Sequence, residues 1–168
     1  VCLAATTMLQ ADRMPSRLPE HEVHYVAPGD SVTIGDITVN AGRAFHPVDA
    51  RCYRFEDSAS GASAVITGDT AYHEGVSAFA KGCDVLIHDA SARGDATPED
   101  LQVTLHSRPQ DAARVAMEAG CSSLALVHYD SSLSSETLAD AKKVFPNSRL
   151  AKKGQRLQIL GPGQAVWV

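Results

Sequence analysis

The 168-residue sequence has no apolar run approaching the roughly 18 residues that a membrane-spanning helix needs, so no span is expected. It has no excess of positive charge. The net charge is −5, which removes the electrostatic footprint of a strong, non-specific nucleic-acid binder while leaving room for a local basic patch. It has no C-x-x-C pair among Cys2, Cys52, Cys83 and Cys121, which argues against a cysteine zinc site. Cys83 and Cys121 sit beside apolar runs and read as buried free thiols. Free thiols fit a reducing compartment, so a cytoplasmic location is expected. No repeat, low-complexity tract or obvious linker breaks the chain. The opening, "VCLAATTMLQADRMP", carries no basic stretch before its apolar residues and no initiator Met. No signal peptide is expected, and the sequence reads as a processed chain or a fragment.

What is present fits one α/β unit. Apolar residues make up 44%, enough for one domain with a sizeable core or for half of a larger one. Val32 to Ile34 and Ile37 to Val39 flank Gly35-Asp36, which reads as a hairpin turn. Tyr53 and Phe55 alternate with Arg54 and Glu56, as in a half-buried strand. A turn over 58–61 leads to a short apolar strand, Ser63 to Thr67, that stops at Gly68-Asp69. From there the pattern becomes β/α. Residues 73–82 read as a short helix stopped by Gly82. "CDVLIHDAS" reads as a buried strand, and 92–105 as a polar connection. The next helix runs to Gly120, with Ser107 and Gln110 as its capping box and Pro109 in its first turn. "SSLALVHYD" reads as another buried strand, and "SSETLADAKKVFP" as a helix ended by Pro146. "RLQIL" and "QAVWV" close the chain as strands around Gly161-Pro162-Gly163.

Three of these apolar strands end in metal-competent or acid–base side chains: Asp69, His88-Asp89 and His128. His106 stands just before a helix start. Ligands of open α/β sheets collect beyond the carboxyl ends of strands, and a His/Asp cluster there suits a borderline ion such as zinc. Taken singly, each residue has a blander role. Asp69 could cap the turn into the next helix. His106 could be a loop residue, His128 a core histidine bonded to a carbonyl, and His46, before Pro47, a turn residue. His21 and His24 in "HEVHY" fall on opposite faces of a strand and read as surface residues.

The order and spacing of the pieces change those odds. "ITGDT", then "CDVLIHDAS", then "HSRPQDAARVAMEAGCSSLALVH" resemble the C-terminal half of the metallo-β-lactamase-fold hydrolases, most closely the ribonuclease Z-like branch. His106 and His128 lie 22 residues apart, an interval that one helix and one strand of that fold fill. "FHPVDARCYRFE" resembles the branch's H-x-V-x-x-x-x-Y-R strand, and "VFPNSRLAKKGQRLQI" its closing strand segment. The resemblance covers roughly residues 30–160. It implies an α/β, metallo-β-lactamase-like αββα sandwich, of which residues 1–168 form a single partial domain: the C-terminal half plus part of the first sheet. It also implies a hydrolase with two zinc ions. Asp69 takes the metal-bridging role and shares in catalysis, His128 is a ligand to one ion, and His106 contacts the scissile phosphate or assists the leaving group. The implied substrate is a phosphodiester or other small ester, with RNA as a candidate, and no membrane is involved.

Several family features are absent. No H-x-H-x-D-H motif occurs, and the further histidine that the family carries before the Gly-Asp-Thr strand has no convincing counterpart. His-Ser-Thr reads His106-Ser107-Arg108, the usual D-G near the end reads Lys153-Gly154, and Asp89 stands where many relatives have Glu. No Gly/Pro-rich arm for gripping transfer RNA is present, and neither is the GHTPGH motif of lactonases and glyoxalases. The chain therefore carries a minority of the ligands of a dinuclear site. Homo-oligomerisation, or association with a chain supplying the missing half, is expected. Two rival readings stay open: a non-catalytic half-fold interaction module, and a sulfatase-like hydrolase of the same superfamily.

Overall fold

The computed structural model describes residues 25–168 in full, together with the backbone of residues 2, 3 and 24. His21, the side chains of Cys2 and His24, and the rest of the opening segment lie outside the described residues. So do the expectations attached to them. Two short strands, β1 (Cys2–Leu3) and β2 (His24–Tyr25), pair in parallel.

A seven-stranded sheet forms the centre. It begins with a hairpin, β3 (Ser31–Ile34) and β4 (Ile37–Arg43), around Gly35 at φ +59°. That left-handed conformation is easy for glycine and suits a two-residue hairpin turn. β5 (Arg51–Asp57) and β6 (Ser63–Ile66) continue the antiparallel half. The chain then changes to helix-connected parallel strands: β7 (Val85–Asp89), β8 (Ser123–Val127) and β9 (Ser148–Leu150). Sheet order follows chain order from β3 to β9. A separate hairpin, β10 (Leu157–Gly161) and β11 (Gln164–Trp167), closes the chain.

The helices are α1 (Glu74–Phe79), α2 (Pro98–Thr104), α3 (Pro109–Ala119) and α4 (Ser134–Val144). α1, α3 and α4 pack side by side against β4, β7, β8 and β9. Their small buried faces allow close approach: Val76 and Ala80 near α1, Ala112, Ala113 and Ala116 on α3, and Ala141 on α4 meet Val65, Leu86, Leu124 and Leu126 of the sheet. Strand side chains alternate between faces, so Val85, Ile87 and Asp89 point away from this helical layer. On that second face Ile66 remains 38% exposed.

Two local readings change. The stretch over 92–105 is not only a connection, because it contains α2. Thr97 caps it, Pro98 occupies its first turn, and Asp100 accepts from the Thr97 N–H to close a capping box. No α2 residue is buried, so its sequence has no apolar stripe to announce it. The cap of α3 also shifts by one residue. Its N-cap is Arg108, whose N–H donates to Asp111 at 3.2 Å, and the guanidinium donates to the same carboxylate. Ser107 is instead buried and donates its hydroxyl to the Thr70 carbonyl at 2.7 Å. That bond pins the segment carrying His106 to the loop that follows β6.

The C-terminal hairpin is tied to the opposite end of the sheet. Asp84, buried just before β7, accepts from the Ser63 N–H at 2.7 Å, from the Ser63 hydroxyl at 2.9 Å, and from the Gly163 N–H. Among the described residues no helix is long and apolar enough to cross a membrane.

Candidate metal centre

Adjacent parallel strands lie about 4.8 Å apart, so residues that follow them at equivalent positions are brought side by side. β6, β7 and β8 are such neighbours, with Ile66 beside Ile87 and Asp89 beside Val127. Asp69 follows β6 through Gly68, Asp89 ends β7, and His128 follows β8 directly. His106 reaches the same point from the loop between α2 and α3. Each of the four offers a ligand atom, and these atoms lie within 4.8 Å of one another. The three residues singled out from the sequence, Asp69, His106 and His128, are thus brought together.

The fourth member, Asp89, organises the others. Its carboxylate is 1% exposed. Oδ2 lies 2.7 Å from His106 Nδ1 and also accepts the N–H groups of Thr70 and Ser107, at 3.3 and 3.4 Å. Oδ1 accepts the Ser91 N–H at 2.9 Å. In the sequence Asp89 stands at a strand end with no role in the site assigned to it. The parity of β7 would have found it, since Asp89 shares a face with Val85 and Ile87 while His88 turns the other way.

His88 is a core residue. It is fully buried, its Nδ1 lies 2.8 Å from the Asp89 carbonyl, and burial pushes its pKa down. It takes no part in the cluster. His128 is the reverse of a core histidine: its side chain is 53% exposed, with Nδ1 at 3.0 Å from Asp69 Oδ1 and 3.6 Å from Asp89 Oδ1. Asp69 does not cap α1, whose N-cap is His73. His46 sits beside the cluster as a further neighbour, its ring edge-on to His106 with centroids 4.9 Å apart.

Backbone geometry also marks this place. Among the described residues, the non-glycine residues at positive φ are Leu105 at +50° and His128 at +60°. Left-handed backbone costs a non-glycine residue about 1–2 kcal/mol, and such strain collects at functional sites. Here one kink turns the chain into His106 and the other turns the His128 ring back toward Asp69.

The donor set suits a divalent cation. Two ligands on one tetrahedral ion at about 2.0–2.1 Å each lie roughly 3.3 Å apart. The spacings of His128 Nδ1 from Asp69 Oδ1 and Asp89 Oδ1, 3.0 and 3.6 Å, bracket that value. The 2.7 Å between His106 Nδ1 and Asp89 Oδ2 is too short for two ligands of one ion and is a hydrogen bond. That bond occupies Nδ1 and leaves Nε2 of His106 for other partners.

A family model described as a beta-lactamase superfamily domain matches residues 3–129. The chain belongs to the beta-lactamase superfamily. Within it, the chain is 36% identical to the ribonuclease Z of Aeropyrum pernix over 129 residues, 72% of this chain and 41% of that protein. It is 37% identical to the ribonuclease Z of Gemmatimonas aurantiaca over 98 residues, 56% of this chain and 31% of that one. The chain thus spans less than half the length of these ribonuclease Z relatives. Among solved structures, the metallo-beta-lactamase fold protein YhfI from Bacillus subtilis matches with a TM-score of 0.74 at 24% identity, over 86% of this chain and 60% of that one. Human tRNase Z, short form, matches with a TM-score of 0.60 at 22% identity, over 84% and 51%. These likenesses show the fold. The mixed sheet with its single helical layer is part of a metallo-β-lactamase fold.

Proposed function

We propose that this superfamily chain is part of a metal-dependent phosphodiester hydrolase of the ribonuclease Z-like kind, with zinc as its ion. The observation that carries the reading is the meeting of Asp69, Asp89 and His128 beyond three neighbouring parallel strands, with His106 held by Asp89 at the rim. Asp69 and His128 would hold metal, Asp69 as the bridge between two ions, and the Oδ1 side of Asp89 faces the same space. Divalent ions in such a site supply Lewis-acid charge and a water acidic enough to react near neutral pH.

The chain's own residues prepare the rest. The buried carboxylate of Asp89 fixes the orientation of the His106 ring. Nε2 of His106 is left free by the bond to Asp89, and in the imidazolium form it would donate a hydrogen bond to a phosphoryl oxygen or a proton to a leaving oxygen. Four donors do not complete a dinuclear site, and the remaining ligands would come from outside the described residues or from a partner chain. An RNA substrate agrees with the relatives named ribonuclease Z. A dimer and a cytoplasmic setting belong to the same proposal, as does the assignment of residues 1–168 to one partial domain.

A non-catalytic interaction module is the second reading, favoured by that shortage of ligands among the described residues. Metal analysis and hydrolysis of bis-p-nitrophenyl phosphate, measured on the protein with any upstream sequence of its gene included, decide between the two. Bound zinc and turnover, both lost in Asp69→Ala and His128→Ala, support the hydrolase. Metal content and turnover unaffected by these substitutions refute it.

A further inference from the structure

Charge is unevenly placed along this acidic chain. Residues 142–156 hold six of its 15 basic residues and none of its 20 acidic ones. In the fold this stretch runs from the end of α4 through the edge strand β9 toward the closing hairpin. Three of its cations, Lys142, Arg149 and Lys152, line one open groove of about 370 Å³, together with Trp167 of β11. All three are exposed, and none has an ion pair among the described residues, whereas neighbouring Lys143 is paired with Asp140. The Trp167 ring is half-buried in the wall of the groove. β9 pairs only with β8 in the described sheet, so the groove follows an open sheet edge.

We propose that this groove binds a single-stranded nucleic acid and leads it toward the metal centre. Unpaired cations along a groove attract a polyanion, and an aromatic face in the same wall offers a base a stacking surface of any sequence. An acidic peptide would use the cations but not the indole. A rigid duplex would not turn its bases onto Trp167. The path toward the cluster is short in the fold. Leu150 of β9 lies beside Leu126 of β8, and the Tyr129 hydroxyl, next to His128, donates to the Ala151 carbonyl at 2.9 Å. Lys152 therefore follows β9 as His128 follows β8. This proposal deepens the phosphodiesterase reading, on which it rests for the fate of the strand but not for its binding.

The test measures binding apart from turnover. The probe is a fluorescein-labelled 2′-O-methyl oligoribonucleotide, titrated by anisotropy against the full protein at several salt concentrations and checked on a gel after each titration to be intact, because attack by a metal-activated water does not need the 2′-hydroxyl. Lys142→Ala/Arg149→Ala/Lys152→Ala is expected to weaken binding at least tenfold and to reduce the log–log salt slope by about 2, since each phosphate contact to a single strand contributes roughly 0.7. Trp167→Ala is expected to weaken binding by about 5- to 100-fold, and Trp167→Phe to restore most of it, which a merely structural tryptophan would not require. Unchanged affinity and slope in the triple variant overturn the proposal. Polyglutamate or a duplex bound as tightly as the single strand also overturns it. A protein that hydrolyses bis-p-nitrophenyl phosphate but ignores the oligonucleotide sinks this inference alone. A protein that binds the strand through these residues but has no metal-dependent turnover sinks the hydrolase reading alone.

Discussion

Replacing Asp89 with asparagine takes an acceptor away from a buried group that serves four donors. The amide oxygen can keep one side of the old carboxylate, either the Oδ2 position with His106, Thr70 and Ser107, or the Oδ1 position with Ser91. The amide NH2 then faces an N–H donor on the other side, and one charge-assisted bond is lost. Such bonds contribute about 1.5–3 kcal/mol each, and losing the buried charge offsets part of that. The expected destabilisation is about 2 kcal/mol, read as a fall of about 4–8 °C in Tm for a chain of this size. The effect on the site is separate. With the His106 ring held at best by a neutral amide oxygen in place of a carboxylate, metal-dependent hydrolysis is expected to fall by about 10- to 100-fold, as for other groups that orient the residues of a metal site. Urea or thermal melts give the first number and bis-p-nitrophenyl phosphate kinetics the second. His106→Ala and the double variant complete a cycle. If Asp89 acts through His106, the double variant is no slower than His106→Ala. Full activity in Asp89→Asn, or additive losses in the double variant, refute the role assigned to Asp89.

Other expectations follow from packing and burial. A Cβ on Gly42 would come within 2.7 Å of Cys52 Sγ and of the Phe79 ring, so Gly42→Ala should cost about 1–3 kcal/mol, seen as a Tm lower by about 2–12 °C. Burial pushes the Cys52 thiol up from 9.0 to about 11. At pH 8 its thiolate fraction is about a hundredfold below that of an ordinary thiol, so mass-mapped alkylation of the native protein should leave it unlabelled. The same shift means that the folded state keeps a proton which the unfolded state releases, so this contribution to stability holds below pH 9 and is lost as pH rises from 9 to 11. Asp84→Ala removes the acceptor of the Gly163 N–H and should raise amide exchange in β10 and β11 while leaving exchange in β7 much less affected.

Much of this architecture was visible in the residues because one periodicity dominated each segment. "CDVLIHDAS" and "SSLALVHYD" are buried strands with their polar ends where the sequence put them, β7 and β8. Gly35 and Gly120 stand where a turn and a helix stop require them. α2 was missed because all its residues are on the surface, so capping was its only signal. β9 was not separated from the strand that follows because three residues carry too little pattern. The candidate site was legible as a set, since Asp69, His106 and His128 were named together, but its internal wiring was not. Which carboxylate would hold His106 depended on side-chain direction at the end of β7 and on the Ser107 bond to Thr70, neither of which spacing alone encodes. His46 reads as a turn residue in the sequence, because its approach to His106 joins positions 60 residues apart in the chain.

The order of the large sheet has a consequence for how the molecule is made. From β3 to β9 each strand pairs with its predecessor in sequence, the longest interval being the 38 residues that separate paired positions of β7 and β8. Loop-closure entropy is met one strand at a time, with the largest step at the β7–β8 crossover. During synthesis, at about 5–20 residues per second, the sheet can grow by one strand as each segment leaves the ribosome. The residues of the candidate site arrive in the same succession, Asp69, Asp89, His106 and then His128. The four-member cluster is therefore complete only once β8 has docked, and Asp69 spends that interval without the histidine that faces it.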